Sequence, residues 1–144
     1  LKESALPPDR LELEITENSL LEGTRDIIKT LERLKALGLR LAIDDFGTGY
    51  SSLRYLQSYP VDRLKTDQSF VRRVTDTQKE AAIVDTILTI ARHLELEAIA
   101  EGVETEAQLA YLRGRRCPQA QGFYFSQPLP PDAATQWLRR ARDA

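Results

Sequence analysis

Leu41-Ala42-Ile43-Asp44-Asp45-Phe46-Gly47-Thr48-Gly49 runs from three apolar residues into two consecutive acids and then into a turn bracketed by glycines. Two acids directly after an apolar run are costly in a mere surface loop, so the stretch reads as a buried strand, Leu39–Asp44, that delivers charge at its C-terminal end. Four further stretches read as strands: Leu11–Ile15, Val61–Lys65, Leu96–Ala100 and Ala120–Phe125. The first four of the five all end in ionisable groups: Glu14 and Glu17, Asp44 and Asp45, Lys65 and Asp67, Glu101 and Glu104. Gln121 takes a similar place in the fifth.

Helical patterns lie between most of these strands. Ile27, Ile28, Leu31, Leu34 and Leu37 recur at helical spacing, with Gly38 as the C-cap. Ala82, Ile83, Ile87, Ile90, Ala91 and Leu94 mark a longer amphipathic helix, and Thr105-Glu106-Ala107-Gln108 offers a capping box for another. Ser51–Gln57 predicts a short helix, and Asp132 is expected to cap a last one carrying Trp137 and Leu138. Alternating βα units imply a parallel α/β sheet. An open sheet would spread the terminal polar groups along an edge, whereas a (β/α)8 barrel gathers them on one face, so the pattern favours a TIM-like barrel. Such barrels need about 250 residues, so five units are an incomplete barrel, and its two open edges call for pairing with another segment or chain.

Composition narrows the function classes. With 42% hydrophobic and 29% charged residues the 144-residue chain reads as one globular domain. A net charge of −2 gives no footprint for a DNA or RNA polymer or for direct contact with an anionic membrane. Cys117 is the single cysteine, so a cytoplasmic setting is expected, although the parent protein is free to be membrane-anchored. The chain has no methionine, which suggests that Leu1 is not a native start.

Glu14, Asp44, Asp45 and Glu101 are hard oxygen donors suited to one or two Mg²⁺ or Mn²⁺ ions. Two carboxylates about 4 Å apart repel by about 4 kcal/mol at an effective dielectric near 20, so such a cluster calls for a proton or a cation. A two-metal site activates water and stabilises the oxygen leaving phosphorus. Lys65 adds a cation to orient water or neutralise phosphate, and Asp67, two residues on, is expected to hold it. Plainer readings stand beside these. Taken alone, Glu14–Glu17 reads more readily as a solvated strand end or helix start, while Lys65 reads equally as a structural ion-pair partner and Glu101–Thr105 equally as a strand-to-helix turn. His93 reads as a packing or surface residue, and Trp137 and Phe123–Phe125 as core rather than a base-stacking platform.

Taken in order, Leu13–Glu17, Asp44–Leu53, Lys65–Val71, Glu101–Thr105 and Gln121–Phe123 resemble the EAL family of cyclic di-GMP phosphodiesterases over nearly the whole chain. The resemblance implies that Glu14 and Asp44 ligate a first metal, that Asp44 bridges to a second held by Asp45 and Glu101, and that Lys65 and Glu101 serve catalysis. It gives Glu17 the support of the loop after Asp45, Gln121 a place in the polar site and Glu104 a structural role. Phe46, Gly47, Thr48 and Gly49, on to Ser52, resemble the family's dimerisation and activation loop. Cyclic di-GMP as ligand, a homodimer, and fusion to GGDEF or sensory domains are implied partners.

The Glu-Ala-Leu segment that names the family, with its metal-binding Glu, and the family's metal-binding Asn are not among these residues. The fragment alone is therefore expected to be weak or inactive: losing about 4 kcal/mol of transition-state stabilisation slows turnover about a thousandfold. Thr66 stands where the family has Ile or Leu, and Arg116 and Pro118 where Gly and Asp are common. Two alternatives stay open: a degenerate EAL domain that binds cyclic di-GMP without cleaving it, and a barrel lyase using Lys65 as a Schiff-base amine or proton-abstracting base.

Overall fold

A computed structural model describes residues 5–20, 25–49 and 56–142. After a 3₁₀ turn at Pro8–Arg10, the described elements are β1 (Glu12–Thr16), α1 (Glu17–Leu20), α2 (Arg25–Ala36), β2 (Arg40–Phe46), β3 (Arg63–Thr66), α3 (Gln68–Arg72), α4 (Gln78–His93), β4 (Glu97–Ala100), α5 (Glu106–Gly114), β5 (Gln119–Ala120) and α6 (Pro131–Arg142). The strands form one sheet in the order β1-β2-β3-β4-β5, and every pairing is parallel. A doubly wound sheet reverses its order at a switch point, whereas here each strand is laid beside its predecessor, as along a barrel wall.

The sheet is held by Leu41, Ile43, Leu64, Ala98 and Ala100 on the strands, packed with Val84, Ile87, Leu88 and Ala91 of α4 and Leu109 and Leu112 of α5. Full burial of a Leu or Ile side chain contributes about 2 kcal/mol. The expected stripe of α4 is buried at Ile87 and Ala91 and partly buried at Ile83, Ile90 and Leu94, but Ala82 faces solvent, and Val84 and Leu88 join the buried face. Contact with the sheet decides which positions beside the stripe are covered as well.

Ends and caps follow local chemistry. Gly38, at φ +86°, donates to the Lys35 carbonyl and closes α2, while Leu37 lies beyond the helix and is exposed. Thr105 and Gln108 make the reciprocal capping box at α5. Asp132 sits in the first turn of α6 rather than at its cap, since Pro131 already occupies the opening helical position. The helix expected at Ser51–Gln57 falls mostly outside the described residues.

The fifth strand is corrected most. It covers Gln119–Ala120, not Ala120–Phe125, because Gly122 lies against the Val103 backbone and the Tyr124 and Phe125 amides donate to the Val103 and Gly122 carbonyls, turning the chain away from the sheet. Phe123, Tyr124, Phe125 and Trp137 are likewise exposed rather than core, at 40–58%.

Candidate active site

Period-two alternation in β1 turns Glu12 and Glu14 to one face and Leu13 and Ile15 to the other. The same alternation would send Asp44 and Asp45 of β2 to opposite faces. A bulge prevents this. Ile43 pairs with Leu64 and Phe46 with Thr66, so Asp44 and Asp45 together span the place of the single residue Lys65. Asp45 takes the left-handed conformation, φ +55°, which acidic and amide side chains tolerate better than most. Both carboxylates thereby reach Glu101, which follows β4, and one oxygen from each of Asp44, Asp45 and Glu101 lies within 4.8 Å of the others.

Lys65 links this group to β1. Its Nζ lies 2.6 Å from Glu14 Oε1, 2.8 Å from Glu101 Oε1 and 3.0 Å from Asp44 Oδ1, with the lysine 5% exposed. Burial pushes the ammonium's pKa down, but contacts with Glu101, Glu14 and Asp44 outweigh it and hold the pKa above the ordinary lysine value. A Schiff-base nucleophile needs a neutral amine, so this environment disfavours the lyase reading. Burial raises the Glu101 pKa, and the negative charges of Asp44 and Glu14 add to the rise against Lys65. Asp45 is raised by burial, then by Asp44 and Asp67.

The donor set fits a hard divalent cation. Asp44 Oδ1 is buried without a well-aligned hydrogen bond, so its 3.0 Å contact with Lys65 is ionic and leaves lone-pair capacity. Three converging oxygens, two of them on acids that resist ionisation, are what a cation would relieve.

The surrounding residues take distinct places. Glu17, buried at the start of α1, accepts the Gly47 amide at 2.8 Å and the Gly49 amide at 3.2 Å. Phe46 is buried, and Thr48 donates to the Asp45 carbonyl. Gln121 donates through Nε2 to Glu101. Glu104 pairs with Arg72 at 2.9 Å, outside the acidic cluster. Asp67 departs from expectation: among the described residues the ion-pair partners of Lys65 are Glu14, Asp44 and Glu101, while Asp67 caps α3 through the Ser69 amide and faces Asp45. After β3 the chain turns into a helix, and period two no longer applies. His93 is exposed, its Nδ1 at the Thr89 carbonyl.

A cleft of about 460 Å³ opens beside the acids, lined among others by Gln68, Arg72, Glu101, Gln121 and Phe123. Sequence reading missed Arg72 there, and it missed Arg63, which pairs with Glu12 and Glu97 on the site face. The signal for Arg63 was available in the period-two pairs Glu12/Glu14 and Arg63/Lys65.

A parallel α/β wall with acids gathered at its C-terminal strand ends defines a barrel-type site for a charged ligand. The EAL domain family model matches residues 1–128, and the chain belongs to that family. It is 46% identical over 142 residues to the cyclic di-GMP phosphodiesterase NbdA of Pseudomonas aeruginosa, covering 99% of this chain and 18% of that protein. Among solved structures it is similar to the PaMucR phosphodiesterase in its c-di-GMP complex, with TM-score 0.89, 41% identity and coverage of 93% of this chain and 54% of that one. It is also similar to Klebsiella pneumoniae BlrP1 in a manganese/cy-diGMP complex, with TM-score 0.81, 35% identity and coverage of 89% and 33%. The chain thus spans under a fifth of NbdA. Among the described residues no helix is long and apolar enough to cross a membrane.

Proposed function

We propose that this chain supplies the acidic half of a metal-dependent site that hydrolyses cyclic di-GMP to the linear dinucleotide. The observation that carries the reading is the convergence of Asp44, Asp45 and Glu101, three carboxylates from two strand ends, with Lys65 joining them to Glu14. Asp44, Asp45 and Glu101 would hold Mg²⁺ or Mn²⁺, with Glu14 and Asp44 contributing to a second ion. Such ions supply Lewis-acid charge for the phosphate and acidify a bound water. Lys65 supplies a fixed positive charge that orients the nucleophilic water and offsets charge developing on phosphate. Gln121 holds the Glu101 carboxylate in place, and Glu17 holds the loop after Asp45. The cleft beside Glu101 offers Phe123 as an aromatic wall for a base.

The same reading places the activity in the cytoplasm, in a homodimer, with GGDEF or sensory domains on the same protein. Turnover is assigned to the complete domain; the 144 residues alone are expected to be slow, because the family's Glu-Ala-Leu segment and Asn are not among them.

A non-catalytic receptor is the second reading, since the acids here would also serve binding. Cyclic di-GMP turnover with Mg²⁺ or Mn²⁺, compared between the full-length protein that carries this chain and its Asp44→Ala variant, separates the two. Turnover lost in the variant supports hydrolysis. Binding without turnover in the unsubstituted protein sinks it in favour of the receptor.

A further inference from the structure

The site face of the sheet carries two tiers of the same chemistry. In the upper tier Glu14 of β1, Lys65 of β3, Glu101 after β4 and Gln121 after β5 join as acid, cation, acid and amide. Glu12, Arg63, Glu97 and Gln119 repeat that order at the lower level. Arg63 Nη1 lies 3.0 Å from Glu12 Oε2, Arg63 Nε lies 2.7 Å from Glu97 Oε2, and Gln119 Nε2 donates to Glu97 Oε1 at 2.5 Å. β2 lies between β1 and β3; its exposed Arg40 is in register with Glu12, and its Ala42 with both Glu14 and Arg63. A larger side chain there would stand between Arg63 and Glu12.

Lys65 sits one pleat above Arg63, about 6.6 Å along the strand, a step its four-carbon arm can span. Glu12 and Glu97 would attract that ammonium if they lacked a cation of their own. Arg63 satisfies both at once, because its planar guanidinium presents Nη1 to one acid and Nε to the other. The upper tier is the more acidic of the two: one ammonium serves three carboxylates, against one guanidinium for two below.

We propose that Arg63 is a positioning residue: by engaging Glu12 and Glu97 together it leaves Lys65 no acid to pair with below Glu14, Asp44 and Glu101, and so keeps the ammonium at the strand ends. What Lys65 does there rests on the phosphodiesterase reading; where it sits does not.

Two readouts on the full-length protein that carries this chain test the proposal. In a crystal structure of Arg63→Met, Lys65 Nζ is expected within ion-pair distance of Glu12 or Glu97; an ammonium still on Glu14, Asp44 and Glu101 overturns the proposal. In cyclic di-GMP turnover, Arg63→Met is expected to lower kcat by about tenfold or more with KM within about threefold. Replacing the competing acids as well, in Glu12→Gln/Arg63→Met/Glu97→Gln, is expected to restore kcat to within about threefold of the unsubstituted protein. A triple variant as slow as Arg63→Met shows a merely structural role and overturns the proposal. If the unsubstituted protein has no turnover, the phosphodiesterase reading has failed, and the position of Nζ alone decides. If Arg63→Met does not fold, Arg63→Gln carries the same comparisons.

Discussion

Asp44 and Asp45 share the place opposite Lys65, and this two-against-one pairing brings consecutive carboxylates to the same side of a strand whose side chains otherwise alternate. The arrangement demands a left-handed backbone at Asp45. Charge and conformation are therefore separable at that position. Asp45→Asn keeps a side chain that tolerates positive φ but removes a carboxylate, so the fold is expected to survive while Mn²⁺ affinity falls about tenfold or more. Asp45→Val adds β-branching at positive φ, costing about 1–2 kcal/mol and lowering Tm by about 4 °C or more. Calorimetric Mn²⁺ titration and thermal unfolding check the pair; equal metal affinity in Asp45→Asn and the unsubstituted protein would remove Asp45 from the ligand set.

Glu101 makes the stability of the metal-free protein depend on pH. Its folded pKa is raised, first by burial, so between the ordinary carboxylate pKa and that raised value the folded state binds more proton than the unfolded state. Stability contributed through this group then falls as pH rises across the window. Relative to Glu101→Gln, the unsubstituted protein is expected to lose Tm as pH climbs from the ordinary carboxylate value, and added Mn²⁺ is expected to restore it. A pH-independent difference between the two would falsify this account.

Thr66 has a fully buried hydroxyl without a hydrogen-bond partner among the described residues. Thr66→Val exchanges that hydroxyl for a methyl of nearly the same shape and is expected to stabilise the fold by about 1 kcal/mol in urea unfolding. Unchanged or lower stability would mean that the hydroxyl is satisfied in solution.

Gly122 sets the opposite case, since a Cβ there would stand 2.2 Å from the Val103 carbonyl oxygen and 2.3 Å from its nitrogen. Both are backbone atoms, fixed by hydrogen bonds to Gln121 and Tyr124. Gly122→Ala is expected to cost about 3 kcal/mol and to loosen Gln121, whose partner is Glu101. Denaturant unfolding measures the cost, and a loss below about 0.5 kcal/mol would show that the turn adjusts freely.

The parts of this architecture legible in the sequence are those governed by local periodicity. Four strands, the α5 capping box and the Gly38 stop each follow from residues within a few positions of one another. The acids could be placed at strand ends because polarity changes abruptly there, as between Ile43 and Asp44. The rest depended on neighbours distant in sequence. The bulge at Asp44 and Asp45 is defined against β3, and the turn of Phe123–Phe125 away from the sheet is set by Val103, some 20 residues earlier. Asp67 shows the limit of strand periodicity, since helix α3 starts directly after it and redirects its carboxylate to the Ser69 amide. Arg63 shows a different limit: its period-two spacing from Lys65 marks its face, but its partners are 51 and 34 residues away and are set by strand pairing.

The consecutive strand order also bears on how the chain comes to be folded. Each strand from β2 to β5 pairs with the one made just before it, so during synthesis every new strand meets a template that has already emerged. Domains generally assemble from their N-terminal side as they are made. The carboxylate cluster, drawn from β2 and from the residue after β4, then forms only once most of the wall is standing, and the fold delays gathering its mutually repelling charges until Lys65 is in place between them.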